Sequence, residues 1–139
     1  MKKIIALMML MLALVACKDQ VQQVSGTYSY KISGKATMLG VEGMLTEEIG
    51  TMDIIHRTAD SALITFNAMQ GPAYYTTAKI TGKQVELESF SRGVTQTATT
   101  HDVMVSGTGT IYGEQIIFNL SYSGSTLNAT NLTMLCKKN

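Results

Sequence analysis

The sequence is poor in the residues that most often carry chemistry. Its 139 residues include two histidines, two cysteines, one proline and no tryptophan, and only 15% are charged. A metal centre needs clustered His, Cys or carboxylate ligands, whereas His56 and His101 are distant from each other in the sequence. The formal net charge of +1 lacks the basic excess that is typical of nucleic-acid-binding proteins. We therefore expect no metal, no cofactor and no nucleic-acid partner.

The sequence also lacks the motifs of common hydrolases and nucleotide-binding enzymes. It contains no Gly-x-Ser-x-Gly segment, which would place a nucleophilic serine on a sharp turn. His101 and Asp102 are neighbours, and neighbouring side chains of a strand point to opposite faces, so the two do not form a ready dyad. Gly82-Lys83 is followed by Gln84, where a phosphate-binding loop has Ser or Thr. These absences predict a protein that is not an enzyme.

A long apolar run is present at the start of the chain. Residues 4–15 are 12 consecutive apolar residues that follow Met1-Lys2-Lys3, and the small Ala16 precedes Cys17. This arrangement is typical of a secretory signal peptide. The run is too short for a membrane-spanning helix, which needs about 20 residues. We therefore expect residues 1–16 to be a signal peptide, and residues 17–139 are long enough for one domain.

The residues around the expected cleavage site suggest a lipid anchor. Leu14-Val15-Ala16-Cys17 resembles the lipobox of bacterial lipoproteins, which implies that the Cys17 sulfur is acylated and holds the protein at a membrane. Cys17-Lys18-Asp19-Gln20 partly resembles a signal that sends some Gram-negative lipoproteins to the cell surface. The resemblance implies an outer-membrane lipoprotein of the cell envelope, either periplasmic or surface-exposed. Residues 18–24 are polar without periodicity, so we expect residues 17–24 to be a lipidated tether.

The rest of the chain alternates between apolar and polar residues, which is the period of a β-strand. Glycines recur at intervals of 11 residues, at 71, 82 and 93 and again at 113 and 124, as in strands joined by short turns. No segment after residue 17 predicts a helix. The expected strands lie near residues 25–40 (bent at Gly34), 48–58, 61–67, 74–81, 84–91, 95–106, 114–122 and 127–136. Residues 40–47 are either a loop or part of a long hairpin.

Each expected strand offers one apolar face. In the seventh strand, Ile116, Phe118, Leu120 and Tyr122 share one face, and the other face holds Ile117, Asn119 and Ser121. Cys136 alternates with apolar neighbours in the last strand, and with Cys17 acylated it has no disulfide partner, so we expect a buried thiol. Eight such strands without crossover helices predict an all-β, antiparallel, up-and-down eight-stranded barrel over residues 25–139. A two-sheet β-sandwich is the alternative.

Three short segments resemble a known family. Val24-Ser25-Gly26-Thr27-Tyr28 is similar to the opening of calycin-like domains, and Ile80-Thr81-Gly82-Lys83 resembles their central hairpin. Residues 107–118 resemble their last hairpin. Together these segments resemble the calycin-like, or lipocalin-like, lipoproteins of Gram-negative bacteria, although Tyr28 stands where lipocalins have Trp. The resemblance implies a small antiparallel barrel with an apolar cavity, and it implies no catalytic residues.

The aromatic side chains predicted to face inward form either a packed core or a ligand cavity. A cavity of at least roughly 300 Å³ would favour ligand binding. The candidate lining residues are Tyr28, Tyr30, Ile54, Phe66, Tyr74, Phe118 and Tyr122. We therefore expect a non-enzymatic envelope lipoprotein whose calycin-like barrel binds a small apolar ligand. The alternative is a macromolecule-binding module, for an envelope-protein partner or a secreted enzyme that it inhibits, with residues 40–48 and 68–73 as the contact surface.

A further candidate site lies in the expected turn between the second and third strands. Asp60-Ser61-Ala62 resembles the short O-glycosylation signal of some Gram-negative bacteria, which would make Ser61 the acceptor. A plain turn is the alternative, since Asp and Ser are common turn residues.

Overall fold

A computed structural model describes residues 19–139, which form one short helix and ten strands. The expected signal peptide over residues 1–16 and the lipidation site Cys17 lie outside the described residues. The elements are α1 (Gln20–Val24), β1 (Gly26–Ser33), β2 (Lys35–Met38), β3 (Val41–Met44), β4 (Glu48–His56), β5 (Ser61–Ala68), β6 (Tyr74–Thr81), β7 (Gln84–Gln96), β8 (Thr99–Tyr112), β9 (Gln115–Ser123) and β10 (Leu127–Lys138).

The strands form a closed antiparallel barrel. Strand β1 pairs with β4, and β4 to β10 then pair in chain order. Strand β10 pairs back onto β1, from Tyr28 opposite Lys138 to Ser33 opposite Thr133, which closes a ring of eight strands. Strand β6 pairs with β7 only from Ala78 opposite Leu87 to Thr81 opposite Gln84, so these two strands separate toward their other ends. The predicted eight-stranded up-and-down barrel is confirmed, and the two-sheet sandwich is not the observed fold.

The predicted first strand is a bent pair of strands. Strands β1 and β2 are separated by Gly34, whose φ of 148° lies in the region that favours glycine, and both pair with β10. Strand β2 then turns at Leu39 and Gly40 into β3, so residues 40–47 belong to a hairpin and its connection to β4. Strand β3 pairs with β2 and ends the sheet order. The hairpin therefore extends beyond the ring of eight strands.

Alternation places the core inside the barrel as expected. Ile116, Phe118, Leu120 and Tyr122 are buried, whereas the intervening Ile117 is exposed. Cys136 is fully buried on β10, so the expected buried thiol is confirmed, and burial raises the pKa of this thiol to about 12. A Cβ atom at Gly109 would lie 2.6 Å from the Phe118 ring. The missing side chain at this position therefore makes room for Phe118.

The expectation of no helix after residue 17 is wrong, because α1 packs against one end of the barrel. Val21 and Val24 of α1 are buried, and the Asp19 carboxylate accepts a hydrogen bond from the Gln22 backbone at 2.8 Å as an N-cap. One turn of helix is too short for periodicity to reveal, and burial of two valines stabilises it instead. Residues 20–24 are thus part of the folded domain rather than of an extended tether. No helix within residues 19–139 has the length and apolar character needed to cross a membrane.

One predicted turn is also misplaced. Gly93 lies inside β7, opposite Asp102, and the turn between β7 and β8 falls at Thr97 and Ala98, both of which have positive φ. Paired left-handed residues are typical of a tight hairpin turn whose twist matches that of the strands. Strands β7 and β8 therefore run several residues beyond the ring.

The barrel has two different ends. The closed end holds α1, the chain entry at Asp19, and the turns at residues 57–60, 82–83 and 113–114. The mouth holds the β2–β3 hairpin, the loop over residues 69–73, the β7–β8 turn and the loop over residues 124–126. These definitions follow from strand direction, since consecutive antiparallel strands end alternately at the two ends.

Candidate functional site at the barrel mouth

The barrel interior is filled. The candidate lining residues all face inward, and all but the partly buried Tyr74 are almost fully buried. A void near the mouth, which Phe66, Tyr74 and Tyr122 help to line, measures about 10 Å³ and has room for about one water molecule. It lies far below the roughly 300 Å³ of a small-molecule site. In this structure the aromatic set is therefore a packed core.

The candidate residues divide between the two ends. The Tyr28 hydroxyl donates to the Val24 backbone oxygen of α1 at 2.8 Å, so Tyr28 belongs to the closed end. Phe118 lies against Gly109 in the wall between β8 and β9. The remaining aromatic residues of the set gather toward the mouth: Tyr30, Phe66, Tyr74 and Tyr122.

A buried ion pair spans the mouth from β4 to β7. Arg92 Nη2 donates to Glu48 Oε2 at 2.6 Å, and Arg92 Nη1 donates to Glu48 Oε1 at 2.9 Å, which makes the pair bidentate. The hydroxyls of Tyr30 and Tyr74 each donate to Glu48 Oε1 at 2.9 Å. We call these four residues the mouth network. Arg92 Nη1 also donates to the Tyr74 hydroxyl, and Arg92 Nε donates to the Gly93 backbone oxygen at 3.3 Å.

Aromatic rings support this network from below. The Phe66 ring stacks on Tyr74 and on Phe90, with centroid distances of 5.0 and 6.0 Å, and meets Tyr30 edge to face at 5.9 Å. The Arg92 guanidinium lies 3.9 Å from the centre of the Tyr74 ring. Offset stacking and a cation over a ring face both favour this fixed arrangement. The mouth network is therefore held by the packing of the core.

The surroundings of the mouth network fix its charge states. Burial alone would raise the pKa of Glu48, but the hydrogen bonds and charge of Arg92 outweigh it and hold that pKa below its usual value. Burial would lower the pKa of Arg92, and the carboxylate of Glu48 raises it instead. Burial raises the pKa of Tyr74 strongly and that of Tyr122 to about 12. At neutral pH the network is thus one ion pair with neutral phenols.

Sequence reasoning missed Glu48 and Arg92 as site residues. Both lie an even number of residues from buried side chains on their strands, and therefore on the inward face. Glu48 lies four residues before Met52 on β4, and Arg92 lies between Phe90 and Val94 on β7. A charged residue in register with a buried face was the available signal. It could not reveal the pairing, because Glu48 and Arg92 are 44 residues apart.

A second polar contact crosses the mouth above this network. The Thr46 backbone donates to the buried Gln96 side chain at 2.8 Å, which ties the β3–β4 connection to the end of β7. His101 is buried nearby on β8, with Nδ1 at 2.7 Å from the Thr126 hydroxyl, while Nε2 has no hydrogen-bond partner among residues 19–139. His101 and the exposed Asp102 face opposite sides of β8, as predicted. The contact between Thr46 and Gln96 further closes the mouth.

The outer surface of the mouth is unusually apolar. Several large apolar side chains there are between 69% and 74% exposed: Leu39, Val41, Met44, Met69 and Tyr75. Met69 is tied to the start of β4 by its backbone, which donates to the Ile49 oxygen at 3.0 Å. The segments predicted as a contact surface, residues 40–48 and 68–73, therefore lie at the same end of the barrel. Single exposed apolar residues are ordinary, whereas a contiguous apolar patch is typical of an interaction site.

Two solved structures share this architecture. One is described as a redesigned beta barrel, b11L5F_LGL, with a TM-score of 0.57 and 11% identity over 88% of this chain and 99% of that chain. The other is EF1p2_mFAP2b bound to DFHBI, with a TM-score of 0.55 and 12% identity over 85% of this chain and 95% of that chain. These likenesses show the fold alone. No protein-family model and no curated protein matches the sequence.

The remaining candidate residues lie at the closed end. Ser61 begins β5 after a tight turn, partly exposed, with its hydroxyl 2.8 Å from that of Thr58. The turn is as predicted, and glycosylation of Ser61 remains a prediction. His56 Nε2 lies 3.1 Å from Asp19, which ties the start of α1 to β4. Within residues 19–139 no three His, Cys, Asp or Glu side chains are placed to share a metal ion.

Proposed function

We propose that the protein is a non-enzymatic, calycin-like lipoprotein of the cell envelope that binds a macromolecular partner through its mouth. The observation that carries this proposal is the position of the exposed apolar side chains. Leu39, Val41, Met44 and Met69 lie at the mouth, whereas the chain enters the barrel at the closed end. The filled interior supports a surface function over an internal one.

The chain entry gives the proposed anchor a defined direction. Cys17 precedes Asp19 by two residues, which span at most about 7 Å. Asp19 is held at the closed end by α1 and by His56. An acylated Cys17 would therefore keep the closed end next to the membrane. The mouth would then face away from the membrane, because it lies at the opposite end of strands such as β9. The nine residues of β9 span roughly 30 Å along the strand.

The anchor is tested by replacing Cys17 with Ser in the full-length protein. We expect the Cys17→Ser variant to move from the membrane fraction to the soluble fraction, because the acyl chains supply the membrane affinity. Cys136→Ala is the control, since this thiol is buried in the core, and it should stay with the membrane. If the Cys17→Ser variant remains in the membrane fraction after a high-salt wash, the lipoprotein proposal is wrong.

The partner surface is tested with a photo-crosslinking amino acid placed at Met44 of the full-length protein in its host. The control carries the same amino acid at Tyr112, which is 59% exposed but lies at the closed end. We expect a discrete adduct from position 44 and none from position 112. Equal adducts at both positions, or none at either, would contradict binding through the mouth.

A small apolar ligand is the second candidate. The barrel neighbour EF1p2_mFAP2b is described as bound to DFHBI, and in this protein the stacked rings below the mouth network offer apolar surface. Such a ligand would have to displace Tyr74 or Phe90, because the void holds about 10 Å³. Titration with DFHBI, read by fluorescence, separates the candidates. Saturable binding that Phe90→Ala changes would favour the internal site, and no binding is expected for the filled barrel.

A further inference from the structure

The outer wall of the barrel contains a groove separate from the mouth network. It measures about 390 Å³ and lies between β9, β10, β2 and β3. Its volume is about forty times that of the interior void and falls within the roughly 300–1,000 Å³ of small-molecule sites. Within residues 19–139, this groove on the wall therefore has space for a small ligand.

The groove exists because two strands separate at this point. Strand β10 pairs with β1 as far as Ser33 opposite Thr133, and pairs with β2 again only at Thr37 opposite Asn128. The β9–β10 register shifts between Ala129 and Leu132. Asn131 in this bulge has a φ of 61°. The bulge leaves backbone groups of residues 130–131 without a ladder partner on either side, and such unpaired groups favour polar contacts.

Side-chain hydroxyls surround this opening. Thr37 projects outward from β2, Ser121 and Ser123 from β9, and Thr130 from β10. Each hydroxyl has one donor and two acceptor positions. None of these four hydroxyls makes a hydrogen bond within residues 19–139. The groove thus presents free donors and acceptors side by side.

One ion pair borders the groove. Lys35 Nζ lies 3.6 Å from Glu42 Oε1, and both side chains are largely exposed. An exposed pair of this kind is weak and easily exchanged for other partners. Asn128 on the same wall has its amide bonded to both backbone groups of Gly124, so its position is fixed. The groove therefore has one cation balanced by one anion and no net charge.

We propose that this groove is a binding site for a neutral saccharide. A saccharide presents several closely spaced hydroxyls that both donate and accept, which matches the four free hydroxyls and the ion pair. An anion would need cations in excess, and Lys35 is balanced by Glu42. A peptide strand would need apolar pockets for alternate side chains, whereas the apolar lining residues Ala36, Tyr122 and Ala129 are buried. The groove contains no residue of the mouth network, although it borders the β2–β3 hairpin and shares Glu42 with the contact surface at the mouth. The saccharide proposal does not depend on the partner proposed for that surface.

The proposal is tested by a ¹⁵N-NMR titration of residues 18–139 with triacetylchitotriose and with maltotriose. We expect saturable shifts with at least one trisaccharide at the backbone of residues 35–37, 121–123 and 128–130. Inorganic phosphate and an alanine-rich peptide serve as the competing probes. Absence of saturable shifts with both trisaccharides, or stronger binding of phosphate or peptide, overturns the proposal.

Matched variants on one strand separate a specific site from general surface contact. Thr130→Val removes a groove hydroxyl without changing side-chain shape, and we expect trisaccharide binding about 3- to 10-fold weaker, as for one neutral hydrogen bond. Thr133→Val, on the same strand but outside the groove, should leave the Kd unchanged. Both variants lie on the exposed face, so folding is checked by their unchanged spectra elsewhere. Equal weakening by the two variants would overturn the assignment of the groove.

Discussion

Replacing Glu48 with Ala should destabilise the barrel strongly, because it breaks the buried ion pair at the mouth. The substitution leaves Arg92 with a side chain only 8% exposed and no counter-charge, and leaves the hydroxyls of Tyr30 and Tyr74 without their acceptor. Removing one partner of a buried pair costs about 3–5 kcal/mol. Since the Glu48 side chain is 21% exposed, we expect the lower end, about 3 kcal/mol of unfolding free energy.

The double variant Glu48→Ala/Arg92→Met tests the origin of this loss. Most of the cost comes from an unpaired buried charge, so removing the second charge should restore at least about 1.5 kcal/mol relative to Glu48→Ala alone. The measurement is urea unfolding of residues 18–139 at pH 7, followed by circular dichroism. Additive single effects would show that the two residues do not interact, and a Glu48→Ala cost below about 0.5 kcal/mol would refute the buried network.

The acid dependence of the same pair has a defined sign. The folded-state pKa of Glu48 lies below its usual value, so the folded protein binds this proton less readily than the unfolded chain. The pair therefore contributes its full stability above the usual Glu pKa of about 4.3, and loses it as the pH falls through the lower folded value. In Glu48→Gln the fall in unfolding free energy between about pH 5 and pH 2 should be shallower than in the native protein. A slope unchanged by this substitution would contradict the lowered pKa.

Three further predictions concern the core and the closed end. Phe118→Ala should lower the unfolding free energy by about 3–5 kcal/mol in urea titrations, because the packed interior cannot close the cavity left by the ring. Ile117→Ala on the outer face should cost far less, and similar costs for the two variants would contradict the register of β9. A thiol reagent should label Cys136 slowly in the folded protein and rapidly in denaturant, and equal rates would contradict its burial. Val21→Asp should lower the melting temperature of residues 18–139, because it places a charge in the contact between α1 and the barrel. An unchanged melting temperature would show that residues 20–24 do not stabilise the folded domain and act only as a tether.

The local alternation of apolar and polar residues was sufficient to predict most of the fold. The period of two marks each strand of the ring, since a half-buried strand must alternate its faces regardless of its partner. Alternation also assigns Ile116, Phe118 and Leu120 to the interior. It predicts the bend at Gly34, where the chain needs a conformation that only glycine adopts easily. These features depend on a few neighbouring residues, so they can be read from a single sequence.

The features that distinguish this barrel depend on contacts between distant residues. The turn at Thr97 and Ala98 lacks the glycine that marks a hairpin, and Gly93 is instead paired inside β7. Helix α1 forms because two valines find a buried surface, which its five residues cannot indicate alone.

The sequence by itself thus determined the class of the fold, the strands and their buried faces. Only the tertiary structure decided that the barrel interior is filled, that Glu48 meets Arg92 across the mouth, and that a polar groove opens where β10 leaves β1. The physical reason is that faces are set by alternation along one strand, whereas volumes and ion pairs are set by how strands distant in sequence curve around a common axis.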